Sequence, residues 1–345
     1  MVDVRQVGRE LGVRYLLEGS VRKAGERIRI TSQLVDATSG RYLWTDRFEG
    51  TLRDIFDLQD QITRSVAGAT EPKLRNAEIE RARKRPTDSM DVYDLFLRAL
   101  ALHNTRKSDD REQALRLLQR VIEIDPHYAS AYALAANCYF RQGLHDRVSR
   151  SDSIVDEGTR LARLAVEHGQ DDPEALWRAA LVISLLAGSH ADGLALIDRS
   201  LALNPNSADA WRISGVLHAN LGDSELAIEH LQQSARLSPL DPLAFATWYG
   251  FAVAHFMAER YDEASTWCDR TLREATGFPP ALRMKVALSG LLGQAEEGPK
   301  WVQRLLAVNP DASVSSLRRF YEVMFKKPTC LDAYSDGLRK AGLPE

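Results

Sequence analysis

Cysteine is scarce in this sequence, and its few cysteines stand far apart. Cys138, Cys268 and Cys330 are the only three among 345 residues. Their number is odd and their spacing is wide, which supports neither a disulfide framework nor a structural zinc site. Two of them lie on predicted helix faces, where we expect buried, unreactive thiols. We therefore predict that the chain binds no metal.

Long apolar runs are also missing. No stretch of 18 or more apolar residues is available to span a membrane, and the residues that follow Met1 lack the apolar core of a secretion signal. The net charge of −3 argues against general binding to nucleic acid. These absences predict a cytoplasmic protein with no membrane segment and no nucleic-acid partner.

Catalytic motifs are absent as well. The sequence contains no glycine-rich phosphate loop, no Gly-x-Ser-x-Gly elbow and no His-Glu-x-x-His zinc motif. Its eight histidines are scattered. The acidic pairs Asp109-Asp110 and Asp171-Asp172 precede predicted helices, where they suit N-caps better than acid–base catalysis. We predict no catalytic residue and no cofactor.

At the N-terminal end, the spacing of apolar residues changes along the chain. Asp3 is placed to cap a short helix that Gly12 ends. Apolar residues then alternate with polar ones in three runs, separated by turn clusters at 24–26 and 36–40. This pattern predicts three antiparallel strands in a meander, with one apolar face and one solvated face.

Helical spacing returns from about Asp54. Pro72 is expected to kink or end this helix, and a highly charged second helix is predicted over 74–85. The basic residues from Arg81 to Arg85 fit a solvated helix end better than a nucleic-acid arm, because cations are favoured near C-terminal carbonyls. Residues 76–90 therefore form a predicted charged helix or linker.

The stretch from Ala208 to Pro239 has the pattern of a helical hairpin. Residues that share one helix face recur at helical spacing both before and after residues 221–223, where the pattern is interrupted. Small residues let the two helix axes approach closely, while larger side chains fill the space on either side. The residues that carry this pattern are Trp211, Gly215, Ala227, Leu231 and the helix-ending Pro239.

The hairpin pattern recurs along the chain. Pro205 precedes Pro239 by 34 residues, and Trp211 precedes Phe245 by the same number. This period and pattern resemble the tetratricopeptide repeat (TPR). The resemblance implies about six stacked hairpins over residues 91–312, followed over 313–345 by two capping helices with a polar outer face.

The N-terminal segment resembles a second family. The runs 13–22, 30–40, 43–44 and 57–60 are similar to the later part of a TolB amino-terminal-like domain, a small α/β domain. The likeness covers residues 1–75, but a strand and a helix that open the family's domain are missing. We therefore expect a truncated domain with an unpaired sheet edge, which could pair with a second copy as a homodimer. The predicted fold is thus mainly α: a TPR-type α-solenoid after a small, truncated α/β domain.

The two segments together resemble the C-terminal half of bacterial proteins that begin with a class III adenylate/guanylate cyclase domain or a winged-helix DNA-binding domain. The run 245–264, FATWYGFAVAHFMAERYDEA, and the tail 336–345 carry this likeness. No catalytic element of a cyclase can be matched to a residue here. We therefore predict a non-catalytic interaction or scaffold module of a signalling protein. A fragment of a cyclase and a part of a winged-helix regulator stay open as alternatives.

A TPR stack implies a concave groove that holds a peptide or a partner helix, lined by the first helices of the hairpins. Polar side chains in that register could grip carboxylates and backbone amides. An ordinary solvated surface is the alternative for each of them. The predicted groove residues are Asn137, Arg141, Trp177, Arg212, Asn220 and Arg283.

Overall fold

The computed structural model of the chain describes residues 3–83, 91–105, 107–143, 152–239 and 241–345. These residues form two compact units that divide near residue 90. The first contains a small sheet with helices, and the second is helical. The division of the helical unit from its cap at residue 313 stays a prediction.

The first unit follows the predicted order of elements. Helix α1 (Val4–Leu11) begins at Asp3, whose side chain accepts a hydrogen bond from the amide of Arg5, and ends at Gly12 in the left-handed conformation. Three strands and one long helix follow. Their bounds are β1 (Tyr15–Ala24), β2 (Arg27–Asp36), β3 (Arg41–Thr51) and α2 (Ile55–Arg83).

The three strands form an antiparallel sheet in the order β1-β2-β3, which confirms the predicted meander. Alternation places apolar side chains on one face, and Ile28, Phe48 and Leu58 form the buried cluster there. Leu58 lies on α2, so this helix covers the face formed by β2 and β3. Gly50 permits the approach, because a Cβ at that position would lie 3.2 Å from a methyl carbon of Leu58.

Of the two predictions for Pro72, the helix end is wrong, and the kink stays a prediction. Helix α2 continues past that position to Arg83, where the described residues stop. Glu78 provides a physical reason, since it holds this end of the helix to β1 through Arg14 and Tyr15. These tertiary bonds offset the backbone bond that proline removes. The basic run beyond Arg83 lies outside the described residues.

The second unit contains helical hairpins. Aspartate and serine caps begin several of its helices, as at Asp172 and Ser207. Twelve described helices pair into six hairpins: α3 (Val92–Thr105) with α4 (Ser108–Ile124), α5 (Ala129–Arg141) with α6 (Asp152–His168), α7 (Pro173–Leu185) with α8 (His190–Leu203), α9 (Ala208–Leu221) with α10 (Ser224–Leu237), α11 (Ala244–Met257) with α12 (Tyr261–Glu274), and α13 (Pro279–Leu291) with α14 (Gly298–Val308). Two further helices complete the chain, α15 (Val314–Tyr321) and α16 (Pro328–Lys340).

The hairpin of α9 and α10 packs through the small residues that the sequence singled out. A Cβ at Gly215 would lie 2.7 Å from Cγ of Leu231 and 3.0 Å from the carbonyl oxygen of Ala227. Leu231 and Ala227 are fully buried. Trp211 is half-buried, and its indole N–H donates to the carbonyl of Pro205 at 2.8 Å. Pro239 follows the end of α10 at Leu237.

All three cysteines are buried and free. Burial raises the pKa of the Cys138 thiol to about 12, so this thiol stays protonated at neutral pH. Within the described ranges, no helix is long and apolar enough to cross a membrane.

Candidate functional site

The first helices of successive hairpins pack on one another and form a layer, which we call the first-helix layer. In this layer α5 packs on α7, α7 on α9 and α9 on α11. The layer is closed around two of its helices, since every residue from Ala175 to Leu185 in α7 and from Pro280 to Ser289 in α13 is buried. A helix buried on all sides offers no open groove without movement of what covers it.

Two of the first three predicted groove residues join helices to each other, and the third, Trp177, contacts the next residue of its own helix. The side-chain amide of Asn137 is buried and donates to the carbonyls of Ala133 and Arg178, both at 3.1 Å. Arg141 is half-buried and donates to the carbonyl of His103. Trp177 is buried, with the guanidinium of Arg178 at 4.2 Å from its ring centroid.

The other three also contact residues of their own chain, and two of these contacts lie within α9. Arg212 pairs with Asp209 at 2.6 Å, one turn before it on α9, and Asn220 donates to the carbonyl of Val216 at 2.8 Å. Arg283 is fully buried and donates to Oδ1 of Asn309 at 3.0 Å.

Four of the six predicted groove residues are buried, namely Asn137, Trp177, Asn220 and Arg283, whereas Arg141 and Arg212 are half-buried. That the six line an open groove stays a prediction. The register did place them on the first helices, as predicted. What it could not supply is the surroundings of those helices, which come from segments distant in sequence.

Part of the cover is the C-terminal segment, residues 312–345, which contains α15 and α16. Helix α16 packs along α13 so closely that their backbones touch at two glycines. A Cβ at Gly290 would lie 1.9 Å from the carbonyl oxygen of Gly337, and a Cβ at Gly337 would lie 2.2 Å from that of Ala287. Such an approach excludes any larger side chain at either glycine.

An aromatic cluster fills the space beside this crossing. The ring of Tyr334 on α16 is fully buried and lies 6.0 Å from Phe256 of α11 and 4.9 Å from Tyr321. The hydroxyls of Tyr321 and Tyr249 are 3.4 Å apart. Burial raises the pKa of Tyr249 and of Tyr334 well above the ordinary value. The segment thus packs on α11 as well as on α13.

The loop between α15 and α16, residues 322–327, reaches earlier hairpins. The carbonyl of Val323 accepts a hydrogen bond from Nε2 of His190 at 2.9 Å, and the amide of Lys326 donates to the carbonyl of Asn220 at 3.1 Å. Burial lowers the pKa of His190. The aliphatic part of Lys327 lies against Gly222, where a Cβ would come within 2.3 Å of its Cε.

The predicted cap is therefore more than an end piece. We expected two helices with a polar outer face at the end of the stack, whereas the segment contacts hairpins three to six. Two of the predicted groove positions take part, since the backbone carbonyl of Asn220 binds the loop and the guanidinium carbon of Arg283 lies 5.6 Å from the ring centroid of Phe320 on α15. The contact at Arg283 is made by its side chain, and the contact at Asn220 is made by its backbone.

A second surface feature lies at the loops that follow α4 and α6. It is a cavity of about 650 Å³ lined by Asp125, His127, Tyr128, Ala129, Ser130, Glu167, His168, Gly169, Gln170, Asp171 and Asp172. The Nδ1 atoms of His127 and His168 are 3.3 Å apart there. Two of the carboxylates stabilise the local backbone. Asp125 accepts a hydrogen bond from the amide of His127, and Asp172 caps the N-terminus of α7.

Sequence analysis missed this cavity. Its residues come from two turns about 40 positions apart, and the TPR period that places equivalent turns side by side is the signal that could have found it. Over the described part of the chain, no three histidine, cysteine or acidic side chains are grouped as metal ligands.

Comparison with known families identifies the hairpins. One model described as "Tetratricopeptide repeat" matches residues 185–242, and another with the same description matches residues 106–150. The chain contains tetratricopeptide repeats. The two matches include α8 and α9 and the helix α4, and the TPR solenoid with its small N-terminal sheet is the fold that we predicted.

Two curated relatives are similar to parts of the chain. "Putative adenylate cyclase 3" of Rhizobium meliloti (strain 1021) is 36% identical over 182 residues, which cover 53% of this chain and 31% of that protein. "TPR repeat-containing protein YpiA" of Bacillus subtilis (strain 168) is 24% identical over 151 residues, or 44% of this chain and 32% of that protein. The matches span about a third of the length of each relative.

Solved structures are also similar to parts of the chain. The crystal structure of PilW, a widely conserved type IV pilus biogenesis factor, has 18% sequence identity and a TM-score of 0.45, and the alignment covers 65% of this chain and 96% of PilW. YrrB, described as a TPR protein with an unusual peptide-binding site, has 21% identity and a TM-score of 0.34 over 56% of this chain and 92% of YrrB.

Proposed function

We propose that this chain is a protein-interaction scaffold that acts in the cytoplasm as the regulatory part of a larger bacterial signalling protein. TPR hairpins support the scaffold role, because such repeats expose extended surfaces to peptides and proteins. The observation that carries the proposal is that the first-helix layer already binds a helical segment, residues 312–345. The segment is held by the crossing of α16 with α13, by the ring of Tyr334 beside Phe256 of α11, and by the bond of the Lys326 amide to the backbone of Asn220.

The larger protein is supported by the Rhizobium meliloti relative, which is named as an adenylate cyclase and of which the matched region is about a third. The sequence runs of the first unit that resemble the TolB amino-terminal-like domain also fit a multidomain protein of this kind. We place the cyclase chemistry outside this chain, whose own residues supply binding. Purified chain incubated with ATP or GTP and Mg²⁺ or Mn²⁺ should form no cyclic nucleotide, and reproducible turnover would overturn this part.

The occupant that we propose for the first-helix layer is a short amphipathic helix like α16. Its binding requires glycine where it crosses α13, because the backbones touch there. It also requires an aromatic residue for the pocket that Tyr334 fills beside Phe256. In the absence of an external helix, the chain's own segment holds this place.

The experiment uses full-length Gly337→Val. The added side chain collides with the carbonyl of Ala287 and should displace α16 from α13. Thr329→Val is the matched control, because it introduces the same side chain at an exposed position of α16. A fluorescently labelled peptide with the natural sequence of residues 312–345 is then titrated against both variants and the unmodified chain.

We expect saturable binding, measured by fluorescence anisotropy, to Gly337→Val only. Hydrogen exchange of the α16 amides in the same samples shows whether the segment was released. Fast exchange without peptide binding would mean that the released site does not bind a helix from another molecule. The proposal that the first-helix layer binds a partner helix would then fail. Binding to Thr329→Val with equal affinity would contradict it as well.

A second binding surface belongs to the same proposal. The edge of β1 that does not face β2 has no strand partner among the described residues, and we assign it to a second copy of the chain.

A further inference from the structure

The backbone groups at the free edge of β1 can be identified. The carbonyl of Arg14 accepts a hydrogen bond from the amide of Ala37 at 2.7 Å, and the register continues with Tyr15 opposite Asp36 and Leu16 opposite Val35. Hydrogen-bonded and non-hydrogen-bonded pairs alternate in an antiparallel ladder. Even-numbered residues of β1 therefore bond to β2, and the odd-numbered residues 15–23 present their N–H and C=O groups to the open edge.

The same odd-numbered residues carry exposed apolar side chains. Leu17 is 53% exposed and Val21 is 68% exposed. They lie on the core face of the sheet, because Leu17 is opposite Leu34 and Val21 is opposite Ile30. Leu34 is only 2% exposed. The apolar face thus continues onto β1, while Leu17 and Val21 on that strand stay exposed.

We infer that two copies of the chain join their β1 strands antiparallel about a two-fold axis at Gly19. In this register Leu17 of one copy lies opposite Val21 of the other, and Val21 lies opposite Leu17. Only odd-numbered residues then exchange hydrogen bonds, as the free edge requires. The inference rests on the second-copy part of the proposed function and specifies its geometry.

The pairing makes the apolar face continuous across six strands. One row would contain Trp44, Leu34 and Leu17 of one copy, and Val21, Ile30 and Phe48 of the other. A symmetry-related row contains the same residues in reverse order. Glycine at the axis leaves these two rows free of an intervening side chain. Removal of apolar surface from water drives the association, and the closed edge no longer exposes backbone groups.

Neighbouring registers are less favourable. An axis at Glu18 places the two Glu18 carboxylates directly opposite each other, and like charges in that position repel. An axis at Ser20 pairs Glu18 with Arg22 of the other copy, but it leaves Leu17 opposite Lys23. The axis at Gly19 matches both apolar residues with apolar partners.

Cysteine cross-linking tests the register. With the axis at Gly19, position 18 of one copy lies opposite position 20 of the other in a non-hydrogen-bonded pair, with Cα atoms about 4.5 Å apart. This separation suits a disulfide. Glu18→Cys and Ser20→Cys are purified separately, mixed and mildly oxidised. We expect a cross-linked dimer in the mixture and little in either variant alone, while the unmodified chain with its buried thiols should give none.

Sedimentation velocity tests the dimer itself. Val21→Lys should shift the equilibrium to monomer by at least tenfold in dissociation constant, because it places charge against Leu17 of the other copy. Leu203→Lys, which changes a 44% exposed leucine on α8, is the control and should remain dimeric. Neither position is buried, so both variants should fold.

The outcomes separate the two levels of the proposal. Self-cross-linking of Ser20→Cys would overturn the Gly19 register while the dimer stands. If the unmodified chain is monomeric at all accessible concentrations, both the register and the assignment of the β1 edge to a second copy are overturned. Neither result depends on the peptide experiment, which concerns the other unit.

Discussion

Glu78 is a buried carboxylate that faces three donors from two elements. Arg14 donates at 2.6 Å and Arg81 at 2.7 Å, and the hydroxyl of Tyr15 donates to the same oxygen as Arg14. Burial by itself would raise the pKa of Glu78, but the hydrogen bonds from Tyr15 and Arg14 outweigh it and hold the pKa below the ordinary 4.5. The carboxylate therefore stabilises the first unit in its ionised form.

Glu78→Gln should lower the free energy of unfolding of the first unit by about 2 to 3 kcal/mol at neutral pH, because charge-assisted bonds are lost around a buried group. The folded pKa lies below the unfolded one, so this stabilisation is present above about pH 4.5 and disappears as the pH falls through the folded pKa.

The difference in free energy of unfolding between the unmodified chain and Glu78→Gln is measured at pH 7 and at pH 3. The method is chemical denaturation, with hydrogen exchange of the β1 amides as the readout. The two proteins should converge at the lower pH. Glu26→Gln serves as the control because its side chain is 68% exposed, and it should change stability little. An equal loss in that variant would show that Glu78 has no special role.

At the scale of elements, the hairpin of α9 and α10 depends on Leu231. This side chain is fully buried, and it fills the space left by Gly215 and by Gly250 of the next hairpin, each of which would place a Cβ 2.7 Å from it. Leu231 thus joins two hairpins, as is expected where each repeat buries its core against a neighbour.

Leu231→Ala should cost about 2 to 5 kcal/mol of unfolding free energy, from lost burial and the cavity that remains. Exchange rates should rise most in α9, α10 and α11, and less in α3 and α4. Leu226→Ala on the same helix, where the leucine is 39% exposed, is the matched control for urea denaturation. Uniform loss of protection over all hairpins would contradict repeat-wise coupling.

Elements were predictable where their cause is local. The alternation of Ile28 and Ile30 and the glycine at position 12 predicted the strands and the end of α1, and helical spacing around Gly215 predicted the hairpin. Pro72 misled because its local effect is offset by bonds of Glu78 to residues more than 60 positions away. The surroundings of Arg283 could not be predicted from local patterns either, because Phe320 belongs to a segment later in the sequence.

At the scale of the whole helical unit, the loop 322–327 is held by the buried side chains of Met324 and Phe325 and by hydrogen bonds to earlier hairpins. His190 is central to them, because its Nε2 binds the carbonyl of Val323 while its Nδ1 contacts the hydroxyl of Ser184 at 2.9 Å. Lys326 and Lys327 in the loop are exposed. The loop should therefore open locally before the helices on either side of it unfold.

His190→Ala leaves the carbonyl of Val323 without its donor, which should cost about 1 to 2 kcal/mol of local stability. Trypsin cleavage after Lys326 should then accelerate by about 5- to 30-fold, since cleavage follows the population of the open form. His127→Ala in the cavity at the α4 and α6 loops is the control and should be cleaved at the unmodified rate. An unchanged rate in His190→Ala would show that this bond does not hold the loop.

The crossing of α13 and α16 also limits which sequences can compete for that place. A competitor must carry glycine at the contact and an aromatic residue three positions before it, as Gly337 and Tyr334 do. This spacing is a search criterion that can be applied to any bacterial proteome before a single binding assay is run. Candidates with alanine or a larger residue in place of this glycine can be discarded on steric grounds alone.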